Sequence, residues 1–474
     1  MGAVDRKTLG FMLFFSFFVV SIIGGGESVK AENKFEVRTP EVIGPVPSKP
    51  YGDPSRDYPQ FATTLNLSKF GYVEEEYFFE GQAVRFETPA MADGKILSDG
   101  HPYKTRMIVR RPISEKDFNG TVIVEWLNVT SGYNLDAMWL TSYEHFIREG
   151  YAYVGVSVQR VGVHSEGTGL ISWSPDRYKT LDVTDGGKIL DDSLSYDIFS
   201  QAAQAIRKPS EVNPLGNLKP KRIIATGASQ SEGYLVRYHN SIHPLTEMFD
   251  AYFLYIGTGG KLRSDLSPKV FKVNTETDLI ALGEAAARQP DSNKLRTWEV
   301  AGTSHVGGHK GVSPRTEILM RDGLPIADTT VCHLPALSLI KTGYAVNAAF
   351  DHLVRWIAEG VEPPKAEPIK LRSISPNVVV ERDPYGNALG GIQLPDHAVP
   401  TAVNTGINSG PGFCFLFGSH EPFDDKTLKM LYPNHGVYVS KVNQSVNQNL
   451  KAGFIVQEDA KKIRVEAAQS NIGK

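Results

Sequence analysis

Short segments rich in β-branched and aromatic residues alternate along this chain with segments whose apolar residues recur every three to four positions, and that alternation constrains the fold more than any other feature. Strands are expected at Tyr77 to Glu87, Tyr103 to Arg110, Thr121 to Trp126, Tyr151 to Val158, Lys221 to Thr226, Ala251 to Tyr255, Val270 to Val273 and Thr297 to Val300. Helical patterns lie at Trp139 to Glu149, Ser195 to Ile206, Gln230 to Asn240, Leu279 to Arg288 and Leu337 to Glu359. Early strands in hairpin-like succession, followed by alternating strand and helix, predict a mostly parallel sheet covered on both faces: an α/β three-layer sandwich.

Three stretches fall outside the alternation. Proline-rich sequence between Pro40 and Pro59 marks an extended N-terminal arm over residues 32–69, ahead of a main domain over 70–474. Residues 159–192 form an irregular insertion containing Trp173, too long for a simple connection and expected to act as a lid. Residues 363–474, rich in Pro, Gly and Asn, show only short pieces such as Asn377 to Glu381 and Asp425 to Leu431; they read as an extension wrapped on the main body or as a small domain.

At the N-terminus, Arg6 and Lys7 precede an apolar run from Leu9 to Ile23, and Val29-Lys30-Ala31 offers a small-residue cleavage site, so residues 1–31 read as a signal peptide. The run is shorter than the roughly 20 apolar residues that a membrane span needs. The expected mature protein is secreted or periplasmic with no membrane span; an uncleaved anchor is the alternative. In an oxidising compartment the two cysteines, Cys332 and Cys414, can pair and tie the extension to the body, or stand as separate buried thiols. Sequons at Asn66, Asn119, Asn128 and Asn443 would make it a glycoprotein in a eukaryote. With 50 Lys and Arg against 53 Asp and Glu, the net charge is −3, and no global field favours a nucleic-acid partner.

The sharpest local signal is RIIATGASQSEGYLVRYHN. An apolar strand (Ile223, Ile224, Ala225) runs into Gly227-Ala228-Ser229-Gln230-Ser231 and then directly into a helical pattern. A serine at the tip of a sharp strand-to-helix turn exposes its hydroxyl and demands small residues two positions before and after it. Gly227 and Ser231 meet that demand, the second with serine where glycine is commoner. The competing reading is a serine that merely caps a helix. The Gln230 N–H, at the helix start, is placed to donate to an oxyanion.

Partners to such a serine follow in the order acid, histidine, each just past a later strand. Val270 to Val273 leads into Asn274-Thr275-Glu276-Thr277-Asp278, and Thr297 to Val300 into Ala301-Gly302-Thr303-Ser304-His305. His305 is therefore the expected base and Asp278 the expected acid, with Glu276 as the alternative acid. A second oxyanion donor is expected between Leu127 and Val129, with Asn128 as the candidate. His305 and His309 also have a metal-ligand spacing, but Gly307 and Gly308 between them oppose a helix, so neither a metal nor another cofactor is expected. His145, His164, His239 and His352 read as surface or satisfied core groups. Trp173, Tyr178, Trp139 and Tyr133 are candidate pocket walls or ordinary packing.

Taken together, GTVIVEWLNV, REGYAYVGVSVQRVGV, SYDIFSQA, GASQSEGYL, NTETD, WEVAGTSH and GNALGGIQLP, in that order, resemble the alpha/beta hydrolase domain family. The resemblance runs from about residue 70 to near the chain's end. It implies the alpha/beta-hydrolase fold, Ser229 as nucleophile and His305 as base, and it favours pairing of Cys332 with Cys414; it supplies no substrate. The expected activity is a secreted serine hydrolase acting on a small-molecule carboxylic ester, as an esterase or lactonase, through an acyl-enzyme. The alternatives are an acyltransferase using the same nucleophile and a non-catalytic binding protein on this fold.

Overall fold

The computed structural model describes residues 35–308 and 312–474. The signal-peptide reading of residues 1–31 and His309 lie outside the described residues. Nine strands build the main sheet: β1 (Glu41–Ile43), β2 (Tyr72–Glu87), β3 (Lys95–Pro112), β4 (Thr121–Trp126), β5 (Ala152–Val156), β6 (Arg222–Ala228), β7 (Ala251–Tyr255), β8 (Lys269–Thr275) and β9 (Leu295–Val300). Their spatial order is β1-β2-β3-β5-β4-β6-β7-β8-β9. The first strands are antiparallel, and β5, β4, β6, β7, β8 and β9 are parallel.

The central strands read as continuous apolar runs because both faces are covered. Along β4, Val122, Val124 and Trp126 enter one core and Ile123 the other; along β7, Tyr252 and Leu254 oppose Ala251 and Phe253 in the same way. Helices α1 (Ala137–Arg148), α2 (Ser195–Arg207) and α3 (Gln230–Arg237) follow β4, β5 and β6. The acid loop opens α4 (Glu276–Ala281), and α5 (Pro314–Asp322) and α6 (Gly343–Glu359) follow β9. On one face Phe199 of α2 and Leu235 of α3 are buried; on the other, Phe350 of α6 stacks on Phe253 with ring centroids 3.9 Å apart and meets Phe146 of α1 edge-on. This is the three-layer sandwich that the alternation predicts.

Three sequence expectations are corrected. Residues 337–342 are not helical: Leu337 stands at φ 75°, and α6 starts only at Gly343. The apolar residues Leu337, Leu339 and Ile340 mimic a helix repeat, yet Ile340 is buried from a loop. The helix expected over Leu279 to Arg288 is split, since Gly283 at φ 86° ends one short piece and begins another. The C-terminal region holds two long helices, α7 (His435–Ala452) and α8 (Gln457–Gln469), that bury Tyr438, Val442, Val446 and Ile463 in the same core as α1 and α6.

The insertion over 159–192 packs as a layer against β2 and the end of α5. Trp173 donates from its indole to the Asp322 carbonyl, and Arg177 pairs with Glu76. The arm completes that layer, with the Tyr58 hydroxyl and the Phe61 N–H both donating to the Asp322 carboxylate. Cys332 and Cys414 are joined as a disulfide, with Cα atoms 5.4 Å apart. No described helix is long and apolar enough to cross a membrane.

A buried ionic cluster ties β3, β4 and α1 together. The Arg110 guanidinium, fully buried, pairs with Glu74 and Asp136 and lies over the Trp139 and Tyr153 rings. Glu125 on β4 accepts the N–H groups of Met138 and Trp139 in the first turn of α1 and the Tyr153 hydroxyl. Burial, with the Asp136 charge adding to it, pushes the Glu125 carboxyl up to about 8 from 4.5. Between those two values the unfolded chain has released this proton and the folded chain has kept it, so raising the pH through the window costs stability. Glu125→Gln carries no titrating proton and keeps one carbonyl oxygen to accept an N–H of the first turn of α1. Its urea midpoint is expected to fall less than wild type's from about pH 5 to about pH 8, and an unchanged difference across the range would refute this assignment.

Candidate active site

The parallel strands end on one edge of the sheet, and the loops beyond β4, β6, β8 and β9 meet there. Ser229 sits between β6 and α3 at φ 59°, ψ −125°. An L-residue avoids this region unless its surroundings enforce it. Here the Ser229 N–H is held by the carbonyls of Tyr255, the last residue of β7, and Ile256, the next. A Cβ on Gly227 would lie 3.0 Å from Leu235 and 3.1 Å from the Ser231 backbone, so glycine lets the helix fold back on the strand. The Ser231 hydroxyl accepts from the Ala228 N–H and donates to the Ala228 carbonyl, and serine at this position thereby braces the turn.

His305 bridges the other two groups. Its Nε2 lies 2.8 Å from Ser229 Oγ, and its Nδ1 lies 2.6 Å from Asp278 Oδ1. With a proton on Nδ1 donated to Asp278, the Nε2 lone pair faces the serine hydroxyl, the tautomer a general base needs. Asp278 is fully buried in the first turn of α4, and its second oxygen accepts from the Thr275 N–H at 2.6 Å. Glu276, the alternative acid, faces elsewhere. Its carboxylate accepts from the Gly302 N–H and pairs with Arg382.

Of the two oxyanion candidates, the Gln230 backbone N–H lies at the N-terminus of α3, directly after Ser229. Asn128 is committed otherwise. Its backbone N–H donates to the Leu135 carbonyl and its amide to the Ala228 carbonyl, while its side-chain oxygen accepts from the Thr130 N–H. Asn128 therefore buttresses the turn rather than donating into the site, and its buried amide leaves no room for a glycan. In the same loop, the Val129 N–H makes no hydrogen bond among the described residues.

The sequence reading misses a buried cluster behind the serine turn. Lys272 on β8 pairs with Glu284 at 2.8 Å and Glu232 at 3.4 Å. Glu232 accepts from the Thr258 N–H and Glu284 from the Gly259 N–H, which fixes the loop after β7 against the first turn of α3. Burial raises the Glu232 carboxyl above the usual carboxylate range, with Lys272 opposing the rise. The four candidate wall aromatics are all buried at 2% exposure or less and serve as packing. His145, His164, His239 and His352 each have a partner, in Asp351, Asp182, Asn240 and the Gly453 carbonyl. Among the described residues, no three His, Cys, Asp or Glu side chains are grouped to hold a metal.

A family model described as alpha/beta hydrolase domain matches residues 44–465. No curated protein matches the chain. Among solved structures, the chain is similar to the rice cell wall degrading esterase LipA from Xanthomonas oryzae (13% identity, TM-score 0.23, 40% of this chain and 43% of that one). It is also similar to XC6422 from Xanthomonas campestris, a serine hydrolase without a lid (12%, 0.29, 52% and 96%), and to esterase Est22 (11%, 0.29, 48% and 72%). The match spans less than half of the LipA chain's length.

If Asp278 holds the base, Asp278→Asn slows fluorophosphonate modification of Ser229 by roughly three to four orders of magnitude while leaving the fold intact. Intact-mass kinetics check this, and an unchanged rate in a folded variant removes Asp278 from that role.

Proposed function

Given that the chain belongs to the alpha/beta hydrolase domain family, matched over residues 44–465, we propose that it is a serine hydrolase that cleaves a carboxylic ester through an acyl-enzyme on Ser229. The observation that carries this reading is the unbroken chain from Ser229 through His305 to Asp278, with contacts of 2.8 and 2.6 Å. His305 takes the hydroxyl proton as Ser229 Oγ attacks the ester carbonyl. The negative charge then develops on the carbonyl oxygen. The Gln230 N–H and the positive end of α3 stabilise it there. The imidazolium returns the proton to the departing alkoxide, leaving the acyl group on Ser229. Water enters, gives its proton to His305 and attacks the acyl carbon. Collapse of that second intermediate releases the acid and restores the serine hydroxyl.

The buried Asp278 carboxylate supports this cycle by fixing the ring and stabilising its cationic form, without itself taking the proton. A carboxylic ester suits a site built around a single hydroxyl nucleophile, and esterase or lactonase is the reading the sequence favours. The disulfide between Cys332 and Cys414 supports an exported protein, in keeping with the signal sequence read over residues 1–31.

The test compares wild type with Ser229→Ala in p-nitrophenyl ester hydrolysis and fluorophosphonate labelling. Labelling is expected to vanish in the variant and turnover to fall by at least about 10³-fold. A folded wild type that does neither supports instead a binding protein on this fold, and activity unchanged in the variant moves the nucleophile elsewhere.

A further inference from the structure

The loops that carry Asp278 and His305 are held together by residues that lie far downstream. Glu276, two positions before Asp278, is fully buried, and its two oxygens go to different partners. One accepts the Gly302 N–H at 3.1 Å, three residues before His305. The other pairs with the Arg382 guanidinium, whose second arm donates to the Gly386 carbonyl at 3.1 Å. Arg382 belongs to the region that composition sets apart as an extension. A single carboxylate thus joins the acid loop, the histidine loop and the C-terminal region.

Gly302 leaves the histidine loop little freedom to settle anywhere else. It stands at φ 71°, and a Cβ there would lie 2.6 Å from His397 Nδ1 and 2.8 Å from Ile340. Its carbonyl accepts the Ser338 hydroxyl at 2.6 Å. The backbone on either side is pinned as well: the Ala301 N–H donates to the Ile392 carbonyl and the Val306 N–H to the Leu416 carbonyl. On the acid side, the Thr277 hydroxyl donates to the Gly406 carbonyl at 2.8 Å. A Cβ on Gly406 would lie 2.3 Å from the Thr277 nitrogen, and one on Gly418 would lie 2.7 Å from Ser304 Cβ. Close approach at both glycines seats the C-terminal region directly on the two loops.

We propose that the Glu276–Arg382 ion pair is a positioning device that sets the distance between the Asp278 and His305 loops, so that Arg382 acts on the reaction through His305 without touching substrate. The proposal rests on the serine hydrolase reading above. Electrostatics favour the pair for this task. Burying a carboxylate is costly unless a cationic partner and hydrogen-bond donors meet it. Here Arg382 supplies the charge and Gly302 a donor, with His397 and Asp383 the other titratable groups nearby. Loss of the guanidinium leaves a buried charge uncompensated, and the two loops relax together. Misplacement of a base by about 1 Å costs up to roughly 100-fold in rate.

The test uses the full mature chain and reads the proton shared by His305 Nδ1 and Asp278, which gives a strongly downfield resonance assigned by its loss in Asp278→Asn. In Arg382→Met, kcat is expected to fall about 10- to 100-fold with KM within about twofold, and the resonance to shift or broaden. Arg382→Lys keeps the charge and is expected to recover most of both. Glu276→Gln, which retains an acceptor for the Gly302 N–H, reports the same pair from the other side; should it fail to fold, Arg382 on its partly exposed position still decides. Folded variants with unchanged resonance and kcat overturn the proposal, as does a fall in kcat with the resonance intact. An active wild type with indifferent variants overturns it alone. A folded wild type that neither labels nor hydrolyses overturns the hydrolase reading and this proposal with it.

Discussion

Everything at the sheet's carboxyl edge depends on holding one serine in a backbone conformation it would not choose. At φ 59° Ser229 is held against its own preference, and only contacts on several sides can keep it there. The contacts are supplied in layers. Gly227 removes the side chain that would keep α3 from folding back, and Ser231 ties its hydroxyl to Ala228 at both ends. Asn128 reaches from the loop after β4 to the Ala228 carbonyl, and the carbonyls of Tyr255 and Ile256 hold the serine's own N–H. Behind them, Lys272 and the two glutamates fix the loop that carries Ile256, itself at φ 46°. Two neighbouring residues with left-handed backbones, bonded to one another, locate the hydroxyl more firmly than either does alone.

The buried charges follow the same logic. Arg110 among Glu74 and Asp136, and Lys272 between Glu232 and Glu284, lie on opposite sides of the central strands. Isolated, each group would cost several kcal/mol to bury. Beside the first cluster Glu125 accepts backbone N–H groups of α1, and within the second Glu232 accepts one from the loop after β7, so these polar contacts fix the register of elements that apolar packing alone leaves free to slide. Hydrophobic contact sets which elements touch, and the polar clusters set where along their lengths they stop.

How much of this was legible in the sequence depends on how far apart the determining residues lie. The turn around Ser229 is local: strand, small residues and helix fall within twenty positions, and the reading from sequence has the same boundaries as β6 and the start of α3, to within a residue or two. Asp278 and His305 are readable because each follows a strand closely. Asn128 is a different case, since what its N–H groups bond to is decided by Leu135 across a short loop and by Ala228, 100 positions away. The helices α7 and α8 are hidden by composition. Asn, Ser and Val make up half of α7, all three modest helix formers, and the repeat of Tyr438, Val442 and Val446 at four-residue spacing is the signal that finds it. Asn434 at its start and Gly453 at its end mark the boundaries by ordinary capping chemistry.

The C-terminal region shows why composition is a poor guide to what a segment does. Pro, Gly and Asn mark it as irregular, and irregular segments usually run over the surface with few obligations. Here several of its glycines are sites of backbone approach: Gly391 faces the Glu299 carbonyl, Gly406 the Thr277 nitrogen and Gly418 the Thr405 carbonyl. The same region pairs Ile392 with β9, covers Trp298 with Phe454 and sends Arg382 to Glu276. A domain that is built this way cannot be divided at residue 363, where the composition changes. The loops that end β8 and β9 have their outer surface only in the presence of the last hundred residues, so the geometry of the site is a property of the whole matched chain rather than of the nine strands beneath it.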